Sequence, residues 1–179
     1  LRAVRYLGDL AIYRHGFIRV SESGRTFAYA DGTPFFYLGD THWFMPHEKW
    51  EACNKPGCES QFRYIVDRRV AQRFTVYQSE PHPLLGLAWN VGVTEIDPEQ
   101  FVDLDRKFAY IAESGLVHAT ALGCHVQAGD LTGPGAARLA RYWVARYSAY
   151  PVLWFVAQEF DIQNLEYEAL WREAGMDVI

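Results

Sequence analysis

From residue 34 onward, four short apolar runs alternate with segments whose apolar residues recur at helical spacing, and this alternation limits the fold more than any other feature. The runs occupy residues 35–39, 74–78, 116–122 and 152–158. Strands this apolar suit a parallel sheet covered by its own connecting helices. Between the first two, Phe62, Ile65, Val66 and Val70 share a helical face, while Arg63, Asp67, Arg68 and Arg69 lie off it. Asp97 and Pro98 open a second helix, with Gln100 placed to reach back to the cap, and Phe101, Leu104, Phe108, Ile111 and Ala112 form its stripe. Ser114 and Gly115 end it. A third helix follows Gly133 and Pro134, with Leu139, Ala140, Trp143, Val144 and Tyr147 on one face, and Pro151 stops it. Leu165, Ala169, Leu170 and Trp171 suggest a fourth over 165–174.

Ahead of these units, β-prone residues 17–20 and 26–29 flank a Ser/Gly-containing turn, and Asp31-Gly32 supplies a second turn, so a hairpin feeds the first run. Four strands with four helices are half of an eightfold barrel, whose usual length is about 250 residues. The expected fold is therefore α/β: the N-terminal half of a parallel (β/α) barrel of TIM type, about four βα units over 17–179, preceded by a short β-hairpin. Residues 1–16 read as the end of a preceding β domain or a linker. A doubly wound open sheet is the alternative, but Gly39, Asp40, Thr41, His42 and Trp43 after the first run make no glycine-rich dinucleotide fingerprint.

Half of the 179 residues are hydrophobic, enough for a sizeable core, and a formal charge of -5 offers no footprint for nucleic acid. No apolar run approaches the roughly 20 residues that cross a bilayer. Aromatic residues make up 16% of the chain, a proportion that suits both a core and flat ligands such as sugar rings. Cys53 and Cys58 bracket Asn54, Lys55, Pro56 and Gly57, a turn that can bring the sulfurs together as a loop disulfide. That bond would place the protein in an oxidising compartment, secreted or periplasmic. Cys124 lies in an apolar run, where a free thiol behaves as a small hydrophobe.

The chemistry-bearing residues gather just beyond the apolar runs. They are Asp40, His42 and Trp43 after the first, Gln78, Ser79, Glu80 and His82 after the second, His125 and Gln127 after the third, and Gln158, Glu159 and Asp161 at the fourth. A barrel collects its site at those strand ends. Sugar cleavage needs a carboxyl group to give and take a proton, with aromatic faces and hydrogen-bonding groups to hold the ring. Glu159 is the candidate acid, then base; the alternative is a turn cap or an arginine partner. Asp40, His42, Trp43, Gln78, Glu80, His125 and Gln158 are the candidate substrate contacts, each with a structural alternative in a cap, a satisfied imidazole or rim packing. A metal hydrolase is a rival class, but His42, His47, His82, His118 and His125 show no zinc-binding spacing, and neither metal nor cofactor is expected.

The stretch from His15 through Val20 and then from Tyr29 through Asp31, Gly32, Thr33, Pro34, Phe35, Gly39, Asp40, Thr41, His42 and Trp43 resembles the apiosidase-like (β/α)8 glycoside hydrolases, with looser similarity as far as Glu159. The resemblance implies a carbohydrate substrate in plant or microbial polysaccharides and a retaining mechanism. Its acid/base carboxylate follows strand four, which Glu159 matches, and its nucleophile follows strand seven. Where the wider clan has Asn before the acid, this chain has Gln158. On this resemblance the chain is a fragment, inactive alone, whose missing barrel half comes from the same parent chain or another copy. A noncatalytic carbohydrate-binding or structural barrel is the alternative from a different class.

Overall fold

The structure, a computed structural model, describes residues 5–80, 88–90, 92–123, 131–158 and 165–176. It begins with a short helix, α1 (Ala11–Arg14), where the end of a β domain or a linker was expected. Three short antiparallel strands follow: β1 (Ile18–Val20), β2 (Phe27–Tyr29) and β3 (Pro34–Phe35), in the order β1-β2-β3. The second turn forms because the Asp31 carboxylate accepts from the Thr33 amide at 2.9 Å, while Gly32 takes the positive φ of 91° that a side chain resists.

The second sheet is parallel and runs β4 (Gly39–Thr41), β5 (Val76–Gln78), β6 (Val117–Ala121) and β7 (Val152–Phe155), in that order. Helices α2 (Gln61–Ala71), α3 (Val102–Glu113) and α4 (Gly133–Tyr147) lie between successive strands, and α5 (Leu165–Met176) follows the last. Ser60 caps α2 by accepting from the Arg63 amide at 3.2 Å, and Thr132 caps α4 in the same way through Gly135. At α3 the expected cap forms, with Asp97 accepting from Glu99 and Gln100 donating to the Asp97 side chain, but a turn of 3-10 helix over Pro98–Phe101 precedes the α-helix.

The first apolar run does not form one strand. Its first residue, Phe35, belongs to the antiparallel strand Pro34–Phe35 and its last, Gly39, to the parallel strand Gly39–Thr41. Between them the Leu38 carbonyl accepts from Thr75 and Val76, and the Leu38 amide donates to the Thr75 hydroxyl at 2.9 Å. Backbone pairing decides where a chain changes sheets, and a continuous apolar run carries no mark of it.

Register fixes the two faces of the parallel sheet. Asp40 lies opposite Tyr77, Tyr77 opposite His118, and Thr120 opposite Trp154. Tyr77 packs on Phe62 of α2 and His118 on Phe108 of α3, so this set of residues faces the helices. The alternate set, including Val76, Val117, Ala119, Leu153 and Phe155, clusters instead with Ile12 of α1 and Phe35 of β3. Gly115, at φ 79° just past α3, brings the chain close enough to Leu10 that a Cβ there would sit 3.0 Å from its side chain. The described part of residues 1–16 thus packs on the parallel sheet. These arrangements form a half-barrel with helices outside and the N-terminal strap and hairpin against its inner face.

Candidate active site

The strand ends gather the polar residues, but register divides them between the two faces. Asp40 lies within β4 rather than beyond it, turned to the helix side, where its carboxylate pairs with the Arg69 Nε of α2. His42 follows the strand, its amide donating to the Gln78 carbonyl at 2.8 Å. Its Nδ1 lies 2.5 Å from the Tyr77 hydroxyl and its Nε2 3.0 Å from Glu48 Oε1. Burial, with the negative charges of Glu48 and Asp40 adding to it, pushes the Tyr77 phenol well above its ordinary pKa, so it keeps its proton. Nε2–H donates to the Glu48 carboxylate, and Nδ1 shares a hydrogen bond with the Tyr77 hydroxyl. Both ring nitrogens of His42 are engaged inside the protein. Glu48 Oε1 also accepts from Gln61 at 2.8 Å, and its buried Oε2 has no hydrogen-bond partner among the described residues.

At the end of β5, Gln78 is half-buried on the inner side of the register. Glu80 is 5% exposed, its carboxylate 2.8 Å from His47 Nε2 and its amide donating to the Trp43 carbonyl. Trp43 is half-buried beside it. Behind the pair runs a relay from the sheet. Burial drives His118 down to about 3, so the ring is neutral. Its Nδ1 has no partner among the described residues, which places the proton on Nε2, 2.8 Å from Ser79 Oγ. Ser79 in turn donates to the Glu80 carbonyl at 2.8 Å, and Thr120 donates to that carbonyl at 3.3 Å.

Gln158 closes the group at the end of β7. Its amide donates to the Gly123 carbonyl at 3.1 Å and its Nε2 to the Ser79 carbonyl at 3.3 Å, leaving a buried Oε1 without a partner among the described residues. Gly123 is needed here because a Cβ would collide with the Trp171 indole of α5. Glu159 and His125 lie outside the described residues, as do His82, Cys124, Gln127 and Asp161.

Sequence reasoning weighed His47 only as a metal ligand and missed Glu48 and the Lys107 that holds their loop. His47 and Glu48 sit in a loop with no periodic signal. Lys107 lies between Leu104 and Ile111 on the apolar stripe of α3, and that position was the available sign of its burial. Cys53 and Cys58 are joined as a disulfide with Cα atoms 5.9 Å apart, closing a short loop just before the Ser60 cap. Among the described residues no group of three or more His, Cys, Asp or Glu side chains is placed to hold a metal ion, and no helix is long and apolar enough to cross a membrane.

Comparison with known proteins bears on this geometry. The sequence model of the family described as "Apiosidase-like, catalytic domain" matches residues 21–179. A solved structure of a glycoside hydrolase family 5 protein from Bacteroides vulgatus superposes with a TM-score of 0.68 at 19% identity, covering 93% of this chain and 37% of that one. Another, described as a glycoside hydrolase, gives 0.68 at 22% identity, covering 92% of this chain and 38% of its own. Such low identity speaks to the fold alone, and the chain spans little more than a third of either structure. No curated protein matches the sequence.

Proposed function

The chain belongs to the apiosidase-like catalytic-domain family, and from that premise we propose that it supplies the acid/base half of a retaining glycoside hydrolase acting on plant or microbial polysaccharides or their oligosaccharides. Glu159 protonates the leaving glycosidic oxygen while a carboxylate outside these 179 residues attacks the anomeric carbon and forms a glycosyl-enzyme ester. Glu159, now a carboxylate, then takes a proton from water, which attacks the same carbon and releases the sugar with its configuration retained.

The observation that carries this reading is Gln158. Its backbone stands at the outgoing end of β7, its Nε2 is tied to Ser79, and its Oε1 is a buried acceptor with nothing described to bind. A buried unmet acceptor is costly, and a sugar hydroxyl is a donor of the right kind. Gln78, Trp43, Glu80 and His125 complete the proposed sugar contacts, while Asp40 and His42 act through Arg69, Tyr77 and Glu48. The nucleophile and the remaining strands come from the other barrel half, in the same parent chain or another copy. The relatives' greater length supports that, as do the outer strands β4 and β7, each paired on one side among the described residues. Export to an oxidising compartment fits the Cys53–Cys58 bond.

The full-length protein and its Glu159→Gln variant, assayed on a panel of oligosaccharides and aryl glycosides, test the proposal. Loss of about a thousandfold in kcat on unactivated substrates is expected, a size typical of removing a positioned acid and base. Equal turnover would remove Glu159 from the mechanism, and binding without turnover by the unaltered protein would mark a noncatalytic barrel.

A further inference from the structure

The loop between β4 and α2 carries His47 and Glu48, yet its main chain is gripped from α3. Lys107 Nζ donates to the Met45 carbonyl at 2.7 Å and also to the Glu48 carbonyl. One turn earlier, Asp103 accepts from the Trp50 amide at 3.1 Å. Arg106 pairs with Glu51 at 3.0 Å and lays its guanidinium 4.4 Å from the centre of the Trp50 ring. Three side chains of one helix therefore hold consecutive parts of a loop that the sheet does not contact through them.

Lys107 is the unusual member, because the residue is wholly buried on the apolar stripe of α3 with the Phe62 ring 6.0 Å away. A leucine there would pack without desolvating a charge. What an ammonium adds is a pair of charge-assisted bonds to carbonyls at the two ends of the Met45–Glu48 turn. From that turn His47 reaches Glu80 and Glu48 reaches His42.

We propose that Lys107 is a positioning residue of the strand-end site: its ammonium fixes the Met45–Glu48 turn and so sets His47 on Glu80 and Glu48 on His42. The link to turnover rests on reading this rim as a glycosidase site. Burial pulls the Lys107 amine down to about 8, against the opposing charges of Asp103 and Glu48, so the ammonium still predominates at neutral pH.

The test compares the full-length protein with Lys107→Met, which keeps the length of the side chain, and Lys107→Arg, which keeps the charge. In the methionine variant, hydrogen exchange at the Met45, His47 and Glu48 amides is expected to rise on the order of tenfold to a hundredfold while α3 amides stay protected. The His47 imidazole nitrogens should lose the signature of their bond to Glu80, with the His118 nitrogens unmoved as a control. The rate kcat should fall about tenfold or more with a smaller change in KM, as positioning effects do, and arginine should restore part of it. Unchanged exchange and unchanged His47 signals in the methionine variant would overturn the clamp, and a released turn with full turnover would overturn its positioning role. If the methionine variant does not fold, through-bond couplings from Lys107 Nζ to the Met45 and Glu48 carbonyl carbons in the unaltered protein decide the contact, their absence counting against it. An unaltered protein inert on every glycoside would instead strike the reading of the site, since the exchange and imidazole measurements do not depend on activity.

Discussion

On its helix side the parallel sheet carries Tyr77, His118 and Trp154 beneath a layer of Phe62, Phe108, Trp143 and Tyr147, whereas its other side carries Val76, Val117, Ala119, Leu153 and Phe155, with Ile12 and Phe35 as described cover. The first face is closed by large rings against large rings: Phe108 stacks on Tyr147 at 3.8 Å and meets Trp143 edge-on at 5.6 Å. The second is built mainly of aliphatic residues smaller than those rings, with Phe155 beside them, and aliphatic side chains of this kind interleave in layers inside a barrel. The difference separates two jobs. The helix side holds the fold together, and the inner side forms a wall whose register carries Gln78 at its outgoing end.

The contrast is broken most directly by cutting the aromatic layer. Trp143→Ala removes a side chain from a position with no exposure, and a loss of about 3–5 kcal/mol in denaturant unfolding is expected. On the other face, Ile12→Ala empties a 2%-exposed site between α1 and the sheet, and about 2–3 kcal/mol is expected, with the helix-side packing intact by near-ultraviolet dichroism. If the inner substitution proved the more costly, the division of labour between the faces would be reversed.

A smaller effect sharpens the same comparison through pH. His118 on the helix side is neutral when folded, down at about 3, but takes a proton near 6.5 once unfolded. Between those values the unfolded chain binds the extra proton, so this group's contribution is present above pH 6.5 and is lost as pH falls toward 3, at no more than about 1.4 kcal/mol per pH unit. His118→Gln should flatten that slope in unfolding free energy measured from pH 7 to 4. An unchanged slope would mean that the imidazole is not sealed beneath Phe108.

Much of this organisation was legible because burial writes itself as period. Leu104, Phe108 and Ile111, and again Leu139, Ala140, Trp143 and Tyr147, fall on helical stripes and are all buried. Strands β5, β6 and β7 lie within the apolar runs, although shorter than those runs, whereas β4 shares only Gly39 with the first run. What periodicity could not carry is contact between distant segments. Nothing local told that the 35–39 run divides between two sheets, since that depends on the bonds from Leu38 to Thr75 and Val76. Ile12 is buried only because α1 meets β5 and β6, and a four-residue helix has no pattern of its own.

The candidate site was legible as a list of residues and not as a set of directions. Asp40 and Tyr77 share a register pair facing the helices, so a carboxylate beside a strand end turned to Arg69. Strand alternation can assign a face only when the strand's true limits are known, and the limits of β4 were displaced. His42 read as a free donor because its partners, Tyr77 and Glu48, lie 35 and 6 positions away in sequence. Glu48, His47 and Lys107 are brought together by the clamp from α3, a tertiary contact that leaves only one local trace, a lysine on an apolar stripe.

A crystal structure of the full-length protein with a bound oligosaccharide tests the central claim most directly. The expected result has the glycosidic oxygen within about 3.2 Å of the Glu159 carboxyl, the reach required of a general acid, with a sugar hydroxyl on Gln158 Oε1 and the ring above the inner face of the sheet. A sugar bound elsewhere, or a Glu159 carboxyl turned into the helix layer and paired there with an arginine, would contradict it.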